Sequence, residues 1–132
     1  MARFVIDPLS TLKYLETGIT ISQNHEILAP VLLRSQLLDL LYQRVRTGDL
    51  DKAGALSLNA QFAKLKFRYL GDAVMRRRAW SIAESLNMPS TFDAEYIALT
   101  QLQADALVAS SGALVNSAEP LVDVRPFEAL VE

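Results

Sequence analysis

The stretch that decides the fold is Arg3-Phe-Val-Ile-Asp7-Pro8, close to the beginning of the chain. Its apolar residues, Phe4 to Ile6, predict a short buried β-strand, because a strand covered on both faces needs no alternation of apolar and polar residues. The strand stops at Asp7, and an aspartate followed by proline is a favourable helix start. The stretch therefore predicts a strand that leads directly into a helix, with a carboxylate at the carboxyl end of the strand.

The remainder of the chain alternates helical segments with short apolar runs. Apolar spacing and capping residues predict helices over Ser10–Glu16, Val31–Arg46 after Pro30 as a first-turn proline, Leu50–Phe67, Asp72–Leu86, a segment after Ser90, and Gly112–Ser117. Further strands are predicted at Ala106–Ala109 and Leu121–Val124, and Arg68–Leu70 is a short strand or a turn. The non-alternating strands indicate a mostly parallel central sheet flanked by helices, a three-layer α/β fold. No linker or repeat interrupts residues 1–132, which predicts a single domain.

Composition limits the chemistry that the chain can perform. Among 132 residues there is no cysteine and only one histidine, so disulfides, thiol catalysis and cysteine or multi-histidine metal sites are excluded. A metal ion would need oxygen ligands, which points to Mg²⁺ or Mn²⁺. The longest apolar stretches are too short and too interrupted to cross a bilayer, and no signal peptide is recognisable. We therefore expect no membrane association and a cytoplasmic location.

Two polar positions are expected at the same edge of the predicted sheet. Asp7 follows the first strand, and the pair Ser110-Ser111 follows the strand at Ala106–Ala109. In open parallel sheets, ligands bind in the crevice outside the carboxyl ends of the strands. Asp7 is therefore the first candidate for a functional side chain.

Four blocks of the sequence resemble the PIN-domain family, and most closely the VapC-like ribonuclease toxins of bacterial toxin–antitoxin systems. They are Phe4–Asp7, Ala29–Asp39, Phe92–Leu99 and Ala106–Leu114, in the order and spacing of the family. The third block, Phe-Asp-Ala-Glu-Tyr-Ile-Ala-Leu, is the most specific of the four. The resemblance extends from about residue 3 to residue 127.

The resemblance implies a fold, an activity and partners. It implies a PIN-like domain in which converging carboxylates hold Mg²⁺ or Mn²⁺, and the bound ion activates a water molecule for endoribonuclease cleavage of RNA. It also implies a homodimer and an antitoxin protein that binds it. The apolar helices between Val31 and Phe67 correspond to the region that supports these protein contacts, and an exposed part of them would be an interface.

Carried over position by position, the resemblance gives an incomplete acidic site. Asp7 and Asp93 match acidic metal-binding positions, but Gln36 stands where the family has Glu and Ser111 where it has Asp. Asp39, one helical turn from Gln36, replaces an Asn and is a candidate to assist catalysis. Two hypotheses follow. The chain is a metal-dependent endoribonuclease that uses Asp7, Asp93 and Asp39, or it is a catalytically impaired PIN domain that binds protein or RNA.

Each candidate also has a purely structural interpretation. Asp7 is a natural N-cap before Pro8, and Asp93 is placed to close a capping box with Ser90. Gln36 lies at the border of an apolar helix face, where it would bond to the backbone, and Tyr96 is expected in the core.

Two further features have simple structural interpretations. The run Arg76–Arg78, next to Trp80, fits either a solvated helix face or a contact with RNA phosphates. His25 is expected to be exposed in a polar loop.

Overall fold

A computed structural model describes residues 2–110 and 112–132 and places five parallel strands in one sheet. The strands are β1 (Ala2–Ile6), β2 (His25–Pro30), β3 (Arg68–Leu70), β4 (Ala106–Val108) and β5 (Val124–Arg125), in the order β3-β2-β1-β4-β5. The helices are α1 (Pro8–Thr17), α2 (Leu32–Arg46), α3 (Lys52–Ala63), α4 (Ala73–Ser85), α5 (Phe92–Gln103) and α6 (Ala113–Ala118), followed by a 3₁₀ turn at Phe127–Val131. The predicted α/β fold with a parallel sheet flanked by helices is confirmed.

The middle strand owes its position to its apolar side chains. Val5 and Ile6 are fully buried, as are Leu28 in β2 and Leu107 in β4 on either side of β1. Helices must therefore cover both faces of the sheet, which is why these strands are apolar without alternation.

Aspartate caps start three of the helices. The side chains of Asp7, Asp51 and Asp72 each accept a hydrogen bond from the amide three residues later, which satisfies one of the unpaired N–H groups of the first turn. The strand-to-helix junction at Asp7, and the end of α1 at Gly18 with φ of 67°, agree with the predictions from sequence.

The cap at the start of α4 gives a first prediction. Asp72 Oδ1 accepts a hydrogen bond from the Met75 amide at 2.9 Å. We expect Asp72→Ala to lower the free energy of unfolding by about 1 kcal/mol, the usual cost of losing an N-cap, as measured by urea denaturation. Glu84→Ala changes an exposed carboxylate on the same helix and serves as the control. Equal effects of the two changes would contradict a capping role for Asp72.

The strand β2 was not predicted, and Pro30 does not begin a helix as expected. Pro30 is the last residue of β2, where its missing N–H costs little, and α2 starts only at Leu32. The register with β1 and β3 shows why the segment is extended, since Leu28 pairs with both Val5 and Arg68. Neighbouring strands therefore outweighed the helix-start signal of the proline.

The last strand also lies later than predicted. It covers Val124–Arg125 instead of Leu121–Val124, because the amides of Leu121 and Val122 both donate to the carbonyl oxygen of Ala118, at 2.8 and 2.9 Å. These bonds close the end of α6 and leave only the following residues to pair with β4.

Three residues differ from the expected exposure. Leu9 and Leu56 would be buried if every leucine of α1 and α3 belonged to an apolar helix face, but they are 47% and 54% exposed. His25 was expected in an exposed loop, but it is half-buried and is the first residue of β2. Its ring packs edge-on against the Phe4 ring, with 4.9 Å between the ring centroids. The apolar faces of α1 and α3 are therefore narrower than their leucines suggest.

Candidate functional site

A cleft of about 710 Å³ opens at the carboxyl ends of the strands. The chain continues from β1 to β2 and β3 on one side, and β4 and β5 lie on the other, so the strand order reverses next to β1. Such a switch point leaves a crevice between neighbouring loops. Asp7, Gln36, Asp39 and Asp93 all line the cleft, and so does Gly112 at the start of α6. The structure thus brings together four of the five predicted site residues, and Ser111 lies outside the described residues.

Asp7 combines the two roles that its sequence position allows. Its Oδ1 accepts a hydrogen bond from the Ser10 amide at 2.8 Å, as an N-cap does, and its carboxyl group lines the cleft although the residue is only 3% exposed. Burial raises the pKa of Asp7, and the nearby charge of Asp93 adds to this, while the bond from Ser10 opposes it. Asp7 is thus a carboxylate that would gain from a cation in the cleft.

Asp93 lines the cleft and does not form the predicted capping box. The N-cap of α5 is Thr91, one residue later than expected, so Asp93 is the second helical residue and not the third. Ser90 Oγ instead accepts a hydrogen bond from the Phe92 amide at 3.3 Å. Burial raises the pKa of Asp93. The capping-box prediction is therefore wrong, and the side chain of Asp93 lines the cleft.

Gln36 is bonded to a residue that the sequence did not connect with it. Its Oε1 accepts a hydrogen bond from the Tyr96 hydroxyl at 2.6 Å. A bond to the backbone had been expected, but the partner is a side chain. Tyr96 is 1% exposed, which confirms its place in the core. Burial raises the pKa of Tyr96, and so do the charges of Asp7, Glu95 and Asp93, so the hydroxyl keeps its proton and acts as the donor. The Gln36 amide oxygen is thus held in place by one hydrogen bond from the core.

The remaining carboxylates near the site divide between the rim and other surfaces. Asp39 is exposed on the rim, within 3.4 Å of Gln43 Nε2. Asp105 precedes β4 at the amino ends of the strands, away from the cleft, and its Oδ2 accepts a hydrogen bond from the Arg3 amide at 2.8 Å. Glu95 lines a different cleft, between α4 and α5. Of these three carboxylates, only Asp39 lines the same cleft as Asp7 and Asp93 and could help them to hold a cation.

The side chains in the cleft offer a divalent cation only part of the set of oxygen ligands that it needs. Within residues 2–110 and 112–132, no three His, Asp or Glu side chains are grouped closely enough to hold a metal ion. Asp7 and Asp93 supply two carboxylates, and Mg²⁺ or Mn²⁺ would have to fill its remaining positions with water or other oxygen groups. Because Gln36 contributes no negative charge, Asp7 and Asp93 would have to hold the ion, with Asp39 on the rim of the cleft.

Sequence reasoning missed the role of Tyr96 as the partner of Gln36. The two residues are 60 positions apart, and Tyr96 comes next to the site only because α5 packs against the sheet beside β1 and β2. One signal was available, since Tyr96 follows Asp93 by three positions and thus lies near it on the same helix.

Comparison with known proteins supports the fold. No protein-family model and no curated protein matches the sequence. The structure is similar to the crystal structure of PAE2754 from Pyrobaculum aerophilum, with a TM-score of 0.70, 17% sequence identity, and coverage of 98% of this chain and 93% of that one. At this identity the likeness concerns the fold alone. Among the helices of the described residues, none is both long and apolar enough to cross a membrane.

Proposed function

We propose that this chain is a VapC-like PIN domain whose acidic site is reduced to Asp7 and Asp93, and that it acts as a binding domain and not as an efficient endoribonuclease. The observation that carries the proposal is the cleft at the carboxyl ends of β1 and β4. It contains this carboxylate pair next to Gln36, a neutral residue at a position where the resemblance calls for Glu. The parallel sheet supports the resemblance, and the substitutions at Gln36 and Ser111 support the loss of activity.

Electrostatics explains why two substitutions would have a large effect. Each carboxylate that is absent removes one negative charge and one oxygen ligand, and the affinity of a site for hard divalent cations depends on both. The raised pKa of Asp7 and of Asp93 means that burial disfavours their charged forms even before a partner is considered. We therefore expect weak binding of Mg²⁺ or Mn²⁺, with a dissociation constant in the millimolar range.

A second candidate function is a weak Mg²⁺- or Mn²⁺-dependent endoribonuclease. It is favoured by the convergence of Asp7 and Asp93 in one cleft, with Asp39 on the rim. In that case the two buried carboxylates would hold the ion, Asp39 would assist, and the ion would lower the pKa of a bound water molecule.

Cleavage of RNA distinguishes the two candidates. We expect wild-type protein with 5 mM Mn²⁺, a concentration of about the proposed dissociation constant, to cleave single-stranded RNA no faster than Asp7→Asn does. The readout is fragment formation on a denaturing gel. Strong Mn²⁺-dependent cleavage by the wild type that disappears in Asp7→Asn would replace the binding-domain proposal with the enzyme.

The proposal includes a homodimer formed through α2 and α3. Leu38, Tyr42 and Leu56 are each more than half exposed, and they border an apolar groove of about 350 Å³ between these helices. An exposed apolar patch of this kind is typical of an interface. A second copy of the chain is the proposed occupant, and an antitoxin protein is the alternative for the same surface.

RNA as a partner agrees with the cytoplasmic location expected from the sequence.

A further inference from the structure

A second cleft lies between α4 and α5, separate from the acidic one. It has a volume of about 520 Å³ and is lined by Arg76, Arg77, Trp80, Thr91 and Glu95. The two clefts share the first turns of α5, since Asp93 lines the acidic cleft and Glu95, two residues later, lines this one. The side chains of this second cleft have no role in the proposed cation site.

Within residues 2–110 and 112–132, Trp80 is the most exposed of the large apolar side chains. Its side chain is 65% exposed, whereas its neighbours on α4, Ala79 and Ile82, are only 1% and 8% exposed. The indole therefore contributes little to the core, although an exposed ring of this size is a poor choice for a helix surface. An exposed aromatic face beside basic groups is the usual platform on which unpaired bases stack.

The two arginines of the cleft supply positive charge next to the indole. Arg76 and Arg77 are exposed, and no salt bridge within the described part of the chain involves either of them. Arg78 points elsewhere, since its Nη1 donates to Gln101 Oε1 at 3.0 Å. The patch is locally basic although the whole chain has a net charge of −2.

Glu95 is the opposing charge in the cleft and limits where phosphates can bind. Burial raises the pKa of Glu95, and the charge of Arg76 opposes that rise, so these two side chains interact. Arg76 is thus partly neutralised, and Arg77 carries the less compensated charge. A phosphate would bind on the side of the cleft away from Glu95.

We propose that this cleft binds single-stranded nucleic acid, with an unpaired base stacked on Trp80 and the adjoining phosphates held by Arg76 and Arg77. The positive charge of the two arginines, complementary to phosphate, and the exposed ring beside them argue for this occupant. The inference rests on the proposed function and deepens it by naming its partner, but it requires no metal ion. It can therefore be tested in the presence of EDTA, where the acidic cleft contributes no cation.

Trp80 provides the test, because it is the only tryptophan of the chain. We expect a ten-nucleotide single-stranded RNA to quench the intrinsic fluorescence, since stacking on the indole changes its emission directly. The same RNA hybridised to its complement should quench little, because paired bases are not available to stack.

Substitutions separate stacking from charge. By anisotropy of labelled RNA, Trp80→Ala should weaken binding by roughly fivefold or more, and Trp80→Phe, which keeps a ring, should weaken it less. Arg76→Ala with Arg77→Ala should lower the affinity and reduce the slope of log affinity against log salt by about 1.4, or about 0.7 for each phosphate that the protein no longer neutralises. Glu95→Gln should strengthen binding by removing a repulsive charge.

The matched control is Arg44→Ala with Arg46→Ala, which removes the same charge from the last turn of α2. The proposal is overturned if both double variants weaken binding equally, if duplex RNA binds as tightly as the single strand, or if binding by anisotropy leaves Trp80 fluorescence unchanged. If single-stranded RNA quenches Trp80 but the acidic cleft binds no cation, only the proposed site of Asp7 and Asp93 is contradicted. The two proposals can therefore fail separately.

Discussion

Asp7→Asn is expected to stabilise the protein at pH 7.5, although it removes the central residue of the proposed site. Asparagine caps helices about as well as aspartate does, so its side-chain oxygen can keep the bond from the Ser10 amide. What the substitution removes is a buried charge next to Asp93. Because burial raises the pKa of Asp7 on folding, its charged form destabilises the folded state, so Asp7→Asn is expected to raise the free energy of unfolding above the folded-state pKa.

The pH dependence gives this prediction its sign. The folded protein binds the Asp7 proton more tightly than the unfolded chain, because its pKa is raised on folding. The contribution of Asp7 to stability is therefore fully present below the unfolded-state pKa and is lost as the pH rises through the folded-state pKa. The difference between Asp7→Asn and the wild type should thus be near zero at low pH and largest above the folded-state pKa.

Urea denaturation over a range of pH values measures this difference. Asp51→Asn is the matched control, since Asp51 also caps a helix through its side chain but is exposed. We expect the control to change stability little. A loss of stability in Asp7→Asn at pH 7.5, or a difference that is the same at all pH values, would contradict the account of Asp7 as a carboxylate whose charged form is disfavoured by burial.

The proposed dimer gives the second large effect. Leu56 is 54% exposed and lines the apolar groove between α2 and α3, so Leu56→Asp should leave the fold intact and place a charge in the interface. A charge buried there without a partner costs several kcal/mol, which weakens dimerisation by roughly 100-fold or more. Sedimentation equilibrium should show a dimer of 14.6 kDa chains for the wild type and a monomer for the variant.

Leu121→Asp is the control for this experiment, because Leu121 is also an exposed leucine but lies in the turn after α6. It should remain dimeric. A wild-type protein that is monomeric at high concentration would contradict the homodimer and leave the groove to another protein.

Local signals in the sequence were sufficient for the elements that define the cleft. The run Phe4–Ile6 followed by Asp7 and Pro8 correctly predicted β1, α1 and the cap between them, because each depends on neighbouring residues only. The apolar, non-alternating strands correctly predicted the parallel sheet. β2 was missed because its pairing with β1 and β3 is a long-range effect, which the proline signal at Pro30 concealed.

The site itself was only partly predictable. The resemblance placed Asp7, Gln36, Asp39 and Asp93 together, and the structure shows them lining one cleft. The bond between Tyr96 and Gln36, and the bond of Asp105 to Arg3 at the amino ends of the strands, depend on how distant elements pack. No pattern of spacing along the chain encodes those contacts.

The most direct test of the central claim is a calorimetric titration of Mn²⁺ into Gln36→Glu. The new carboxylate would lie in the cleft with Asp7 and Asp93, and the Tyr96 hydroxyl could still donate to it. We expect the affinity for Mn²⁺ to rise at least roughly tenfold over the wild type, and further when Ser111→Asp is added. Gln61→Glu, an equal charge change on the exposed side of α3, should leave the affinity unchanged. If the affinity for Mn²⁺ stays at the wild-type value in Gln36→Glu and also in the double variant with Ser111→Asp, the claim that this cleft is a reduced acidic site is contradicted.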